Sequence, residues 1–186
     1  MFWSVSDKEE MSVALSKIGI KIKRSMGGGS KYLRDELLTI GYGVLSNPEQ
    51  FAACKANALW GDAFDEGIRW VAPIQVSSRL VKEDVELRGY LVPKGDTVMT
   101  IQASACHDED LYDNPEGYDI FRKKQPHQAF GNGPHFCQGM HIAKRMLAQL
   151  MLPMLFDRFP DMELAGPVEF TGFGFRGPAA VHVKLI

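Results

Sequence analysis

The 186-residue sequence predicts a mainly α domain with a small β-sheet. Three observations carry that expectation. Apolar residues recur at helical spacing through the first third and again over residues 137–160. Alternating, β-branched stretches with Gly turns are confined to residues 74–101 and the last six residues. Between these, residues 107–129 are rich in Asp, Asn, Pro and Gly and fit an irregular meander.

The elements follow in order. Residues 12–46 read as helix through Leu15, Ile18, Ile22, then Leu33, Leu37 and Ile40, interrupted at "MGGGSK" (26–31). Asn47 is placed to cap a second helix over 48–57, with Pro48 at its first position. A third helix is expected over 61–71, ending before Pro73. Residues 74–81, 85–101 and 181–186 read as strands, with Pro93 and Gly95 set for a turn in "PKGD". "CQGMHIAKRMLAQLMLPMLFDRFP" (137–160) is a long amphipathic helix starting at or near Cys137, and "GFGFRGPAA" (172–180) is a Gly-rich loop.

Composition narrows the function classes. Hydrophobic residues are 45% and charged residues 24%, as in ordinary soluble domains. A net charge of −2 offers no footprint for nucleic acid or an anionic membrane. No apolar run reaches the ~18 residues of a membrane span. "MFWSVSDKEEMS" lacks a signal-peptide layout, because acids follow the short apolar start at once, so cytoplasmic residence is expected.

Cys54, Cys106 and Cys137 cannot all pair, and their spacing is unlike a zinc site. Cys54 and Cys106 are expected to be small buried hydrophobes. Cys137 stands apart in "FGNGPHFCQG" (130–139). A helix start favours an anion and lowers a thiol's pKa. Gly131, Gly133 and Gly139 keep side chains away, so that a bulky partner or a second backbone can approach. Three readings follow: a buried Cys at a loop-to-helix junction, a catalytic Cys with His135 or His141 as base, or a thiolate ligand to a large planar metal centre such as haem.

"FGNGPHFCQG" resembles the haem-binding signature of the cytochrome P450 family. By that resemblance Cys137 ligates the iron of haem b, Phe130 packs near the sulfur and Gly139 lets the next helix approach the porphyrin. A thiolate ligand pushes electron density onto iron and favours O–O cleavage. "EGIR" supplies Glu66 and Arg69 at i, i+3, on one face of the third helix. With Arg122 of "YDIFR" they are similar to the family's buried clamp. Arg79 in "APIQVSSRLV" and His135 match positions that bind haem propionates. Ile74, Gln75 and Val76, with Phe173 or Phe175, would face the substrate pocket. The resemblance gives Gly27, Gly28 and Gly29 a role where the distal helix crosses the haem; the rival reading of "GGGS" is a linker. The family's acid–alcohol pair is replaced by Ser30, Lys31 and Tyr32, leaving Ser30 as the candidate distal hydroxyl.

The resemblance spans residues 12–186 but only the second half of a usual family member, which implies a single truncated haem-thiolate domain with residues 1–11 as lead-in. It implies monooxygenation of a small organic substrate, an aromatic being one candidate class. Electrons would come from a ferredoxin or flavodoxin-like donor, docking on Lys123, Lys124, Lys144 and Arg145; a solvated charged face is the competing reading of those residues. A haem sensor, carrier or vestigial binder and a peroxide-driven peroxygenase are the alternatives. An exposed haem face would invite self-association or a covering partner.

Overall fold

The computed structural model describes residues 29–186, so the expected helix over 12–28, with Gly27 and Gly28, lies outside the described residues. Helix α1 (Gly29–Leu45) is followed by α2 (Pro48–Asn57) and α3 (Trp60–Trp70). Pro48 opens α2, where its missing N–H costs nothing. Asn47 differs from expectation. It makes no side-chain cap on α2; its amide Nδ2 donates to the Gly43 carbonyl at 2.8 Å. It therefore closes α1 instead, because the last carbonyls of a helix need donors as much as the first N–H groups need acceptors.

Among the described residues the small β-structure is four two-stranded antiparallel ladders. β1 (Val76–Leu80) pairs with β4 (Thr97–Ile101), and β2 (Val85–Leu87) with β3 (Tyr90–Val92). Arg88 and Gly89, at φ 50° and 85°, form the two-residue connection of the β2–β3 hairpin. Such a turn needs positive φ at both positions. It divides the expected strand over 85–101 into three. A short α4 (Gln102–Ala105) leads into the meander. Near the C-terminus β5 (Glu163–Leu164) pairs with β8 (Val183–Lys184), and β6 (Phe170–Thr171) with β7 (Gly177–Pro178).

The long C-terminal helix begins at Met140, three residues after Cys137. It runs as α5 (Met140–Met146), a π-helical turn (Leu147–Met151) and α6 (Leu152–Arg158). The π turn has a local cause. Pro153 lacks an N–H and cannot bond the Gln149 carbonyl. The ladder shifts, and Leu152 N–H reaches back to the Leu147 carbonyl. Leu147, Leu152 and Phe156 are buried against Phe64 and Ile68 of α3 and Ile40 and Val44 of α1 in one hydrophobic cluster. Trp60 stacks on Phe156 at 5.2 Å. Gly67 permits the α1–α3 contact, since a Cβ there would lie 2.5 Å from Ile40 Cγ1. Among the described residues no helix is long and apolar enough to cross a membrane.

Candidate functional site

α3 sets Glu66 and Arg69 one turn apart, and the fold buries both, at 6% and 2% exposure. Arg69 Nε donates to Glu66 Oε2 at 2.9 Å and Nη2 to Oε1 at 2.8 Å. The other three N–H groups reach meander carbonyls: Nη1 to Cys106 (3.0 Å) and Pro115 (2.8 Å), Nη2 to Gly117 (3.0 Å). All five guanidinium donors are thus satisfied, as a buried cation requires. Glu66 Oε1 also accepts from Asp119 N–H at 2.9 Å and from Arg122 Nε at 3.3 Å. Arg122 continues to the carbonyls of Asp113, Asn114 and Gly117. The structure therefore joins Glu66, Arg69 and Arg122 in one buried cluster that fixes the meander on α3.

The Cys loop is built on this base. Phe130 stacks on Phe64 of α3 at 6.3 Å and lies near His127 and Phe136. Gly131 and Gly133 take φ of 69° and 60°, a region unfavourable to other residues. A side chain on Gly131 would also meet the His135 carbonyl at 3.3 Å. Asn132 Oδ1 accepts from Gly133 N–H at 2.7 Å, starting the 3-10 turn Gly133–His135. Cys137 N–H returns to the Phe130 carbonyl at 2.9 Å. This closes the loop and sets a half-buried free thiol just ahead of α5. A Cβ on Gly139 would stand 3.8 Å from that sulfur.

The three cysteines differ. Cys54 and Cys106 are both fully buried. Burial, and then Asp62, pushes the Cys54 thiol up to about 12, and burial raises Cys106. Both are protonated, inert thiols. That leaves Cys137 as the sulfur with access. Among the described residues no group of three His, Cys, Asp or Glu could hold a bare metal ion. A single Cys ligand in a glycine-lined loop fits a metal that brings its remaining ligands with it, as haem iron does.

The other candidates are spread over several elements. Arg79 is half-buried on β1, its Nη1 donating to the Ser78 carbonyl at 2.8 Å, while His135 is exposed in the 3-10 turn. Ile74 bridges Phe175, and Phe175 packs on Tyr32 of α1 at 5.6 Å between ring centres. These bring the start of β1, the C-terminal loop and α1 together. Val76 faces Ile101 across the β1–β4 ladder, and Phe173 is 81% exposed. Gly29 and Ser30 form the first turn of α1. Of the four basic residues, Lys124 pairs with Asp62 and Lys144 with Asp65, each at 2.7 Å, while Lys123 and Arg145 are exposed.

Sequence reasoning missed two features. Asp35 and Glu36, side by side on α1, are both 3% exposed. Asp35 is held by Lys31 at 2.8 Å and Arg34 at 2.5 Å and lies against Gly177 of β7. Glu36 Oε2 has no hydrogen-bond partner among the described residues. Burial, and then the Asp35 charge, holds its carboxyl well above the usual range. His127 is the second: its Nδ1 is buried and unpartnered, and burial lowers its pKa. It lines a cleft of about 310 Å³ with Phe130, Phe136, Met140, Asp62 and Asp65. The one signal for Asp35 and Glu36 was their position within an apolar helical period.

Comparison with known proteins meets the same elements. A family model described as "Cytochrome P450" matches residues 62–163. The chain is 36% identical over 145 residues to cytochrome P450-terp of a Pseudomonas species, covering 77% of this chain and 34% of that protein. It is 38% identical to the putative cytochrome P450 YjiB of Bacillus subtilis, over 77% of this chain and 36% of YjiB. The ligand-free P450 monooxygenase TamI superposes with a TM-score of 0.80 at 29% identity, over 88% of this chain and 41% of TamI. The chain therefore spans about a third of the length of the curated relatives it matches.

Proposed function

The chain belongs to the cytochrome P450 family, whose members bind haem, and from that premise we propose that Cys137 is the thiolate that would hold the iron of a haem-b site in this molecule. The observation that carries the proposal is a single accessible Cys in a glycine-turned loop, packed through Phe130 on the helix whose Glu66 and Arg69 form the buried cluster with Arg122. Haem iron with a thiolate ligand supplies O–O cleavage and transfer of one oxygen atom to an organic substrate. The remaining roles fall to the protein. Phe130 would shield one side of the sulfur, and Gly131, Gly133 and Gly139 would give room at the Cys loop. Arg79 and His135 would hold the propionate carboxylates through charge-assisted hydrogen bonds. Gly27, Gly28 and Gly29 would give the distal side its backbone clearance, with Ser30 as the polar group there. Ile74, Val76 and Phe173 would meet a small organic substrate, for which the Tyr32–Phe175 pair favours an aromatic.

The chain acts here as one haem-thiolate domain of the cytoplasm. A ferredoxin or flavodoxin-like donor would meet the exposed cations Lys123 and Arg145, since Lys124 and Lys144 are neutralised by α3 acids. A second reading, peroxide-driven oxygen transfer, has its own support. Tyr32 and Lys31 stand in place of the acid–alcohol pair, and both are engaged, with Phe175 and Asp35 respectively. Peroxide brings its own protons and electrons and does not need that pair.

The test is spectroscopic. The reduced, CO-treated protein should show the long-wavelength Soret band of thiolate ligation, and Cys137→Ala should abolish it. A band at the ordinary position, or no haem uptake by the unaltered chain, would overturn the reading. Turnover with peroxide but not with reduced ferredoxin would select the second.

A further inference from the structure

β1 carries a polar arrangement that neither the Glu66 cluster nor the Cys loop uses. Side chains of a strand alternate between its two faces. Ser77 and Arg79 therefore share one face of β1, and both are half-buried, while Ser78 and Leu80 on the other face are exposed. Gln102, the first residue of α4 and 7% exposed, meets Ser77 from the side of β4. Its Nε2 donates to Ser77 Oγ at 2.7 Å. The backbone fixes that meeting. Thr100 Oγ1 donates to the Ser77 carbonyl at 3.1 Å, and Ala103 N–H donates to the Gln75 carbonyl at 3.2 Å.

Three polar groups are left open here. Ser77 Oγ accepts from Gln102, so its own O–H stays free to donate and has no acceptor among the described residues. Gln102 Oε1 is buried without a partner. Arg79 spends one N–H on the Ser78 carbonyl, and no acid pairs with it among the described residues. A buried orphan beside a formed hydrogen bond marks a missing group. A cation and an aimed hydroxyl on one strand face fit a carboxylate, which accepts from both. We propose that Ser77 is the second donor, beside Arg79, of the seat for one haem propionate, and that Gln102 is the positioning residue that aims the Ser77 hydroxyl. Gln102 Oε1 would accept from a water bound to the same carboxylate. The inference rests on the haem reading of the site but not on iron ligation by Cys137.

The haem-loaded chain and its Ser77→Ala, Gln102→Leu and double variants are each given excess apomyoglobin, and haem transfer is followed by absorbance. Ser77→Ala should speed haem loss roughly tenfold, as removal of one hydrogen bond to a charged group entails. Gln102→Leu should speed it less. The double variant should match Ser77→Ala, because Gln102 acts through Ser77. Loading with iron protoporphyrin IX dimethyl ester, which has no carboxylates, should bring all four chains to one rate. Equal haem loss from the unaltered chain and Ser77→Ala overturns the inference. So does a Ser77→Ala difference that persists with the diester, since a structural defect would act on both porphyrins. A double variant whose effect is the product of the singles overturns the positioning role of Gln102. The Soret band of the reduced, CO-treated protein separates the two readings. A thiolate band with an indifferent Ser77→Ala sinks this inference alone. A Ser77 difference without that band sinks the Cys137 reading alone. No haem uptake by the unaltered chain overturns both.

Discussion

Two buried carboxylate sites, one on α3 and one on α1, solve the same problem in opposite ways. Glu66 has a cation with every donor in use, and it accepts further bonds from Asp119 N–H and Arg122. Its charge is compensated where it sits. Glu36 is as deeply buried but has one oxygen without a partner and a negative neighbour in Asp35. It answers by keeping its proton. The lesson is that burial alone does not fix the state of a carboxylate; the count of donors around it does. The satisfied site is a rigid post for the Cys loop. The unsatisfied one makes α1 sensitive to pH.

Breaking the α3 site gives the largest effect. Glu66→Ala leaves Arg69 buried with two donors unpaired and should cost on the order of 3–5 kcal/mol in urea unfolding. It should also lower haem content. Near-wild-type stability would mean the meander carbonyls hold Arg69 unaided.

The α1 site should respond with the opposite sign. Glu36→Met removes an unsatisfied buried group and should stabilise the chain by about 1–3 kcal/mol at neutral pH. The pH dependence sharpens the contrast. A carboxyl whose pKa is raised on folding contributes fully below its unfolded value and loses that contribution as pH rises towards the folded value. The wild type should therefore weaken above the ordinary carboxylate range while Glu36→Met stays flat, so their difference grows with pH. A difference independent of pH would show that Glu36 is not the titrating group. His127 runs the other way: its lowered pKa predicts lost stability on acidification below the ordinary imidazole range.

The smallest effect belongs to an exposed pair. Lys124→Ala removes a bridge whose lysine is 71% exposed and should cost ~0–1 kcal/mol, falling with added salt. A loss as large as that of Glu66→Ala would erase the distinction between paired charges inside and outside the fold.

What the sequence disclosed follows from how local each signal is. Helices α2 and α3 start and stop close to where Pro48 and Pro73 dictate. The i, i+3 spacing of Glu66 and Arg69 was legible because one helix turn creates it. Their backbone partners Cys106, Pro115 and Gly117 were not, because only the folded meander brings those carbonyls to Arg69. Asn47 carries the composition of an N-cap, yet its amide is spent on the preceding helix. The late start of α5 and the π turn depend on the closure of the Cys loop and on Pro153, two competing local rules within one apolar period. The burial of Asp35 depends on β7, about 140 residues away, and no spacing could announce it.

The bonds of Arg69 also set an order of events. Its carbonyl acceptors lie 37, 46 and 48 residues further along the chain. During synthesis from the N-terminus, α3 is complete while those acceptors are still unmade, and three of its five donors can bond only water. The α1–α3 pair must therefore wait, partly hydrated, until the meander emerges. Formation of the seat for Cys137 is a late, long-range step, and contacts of that separation are the ones that slow a chain's folding.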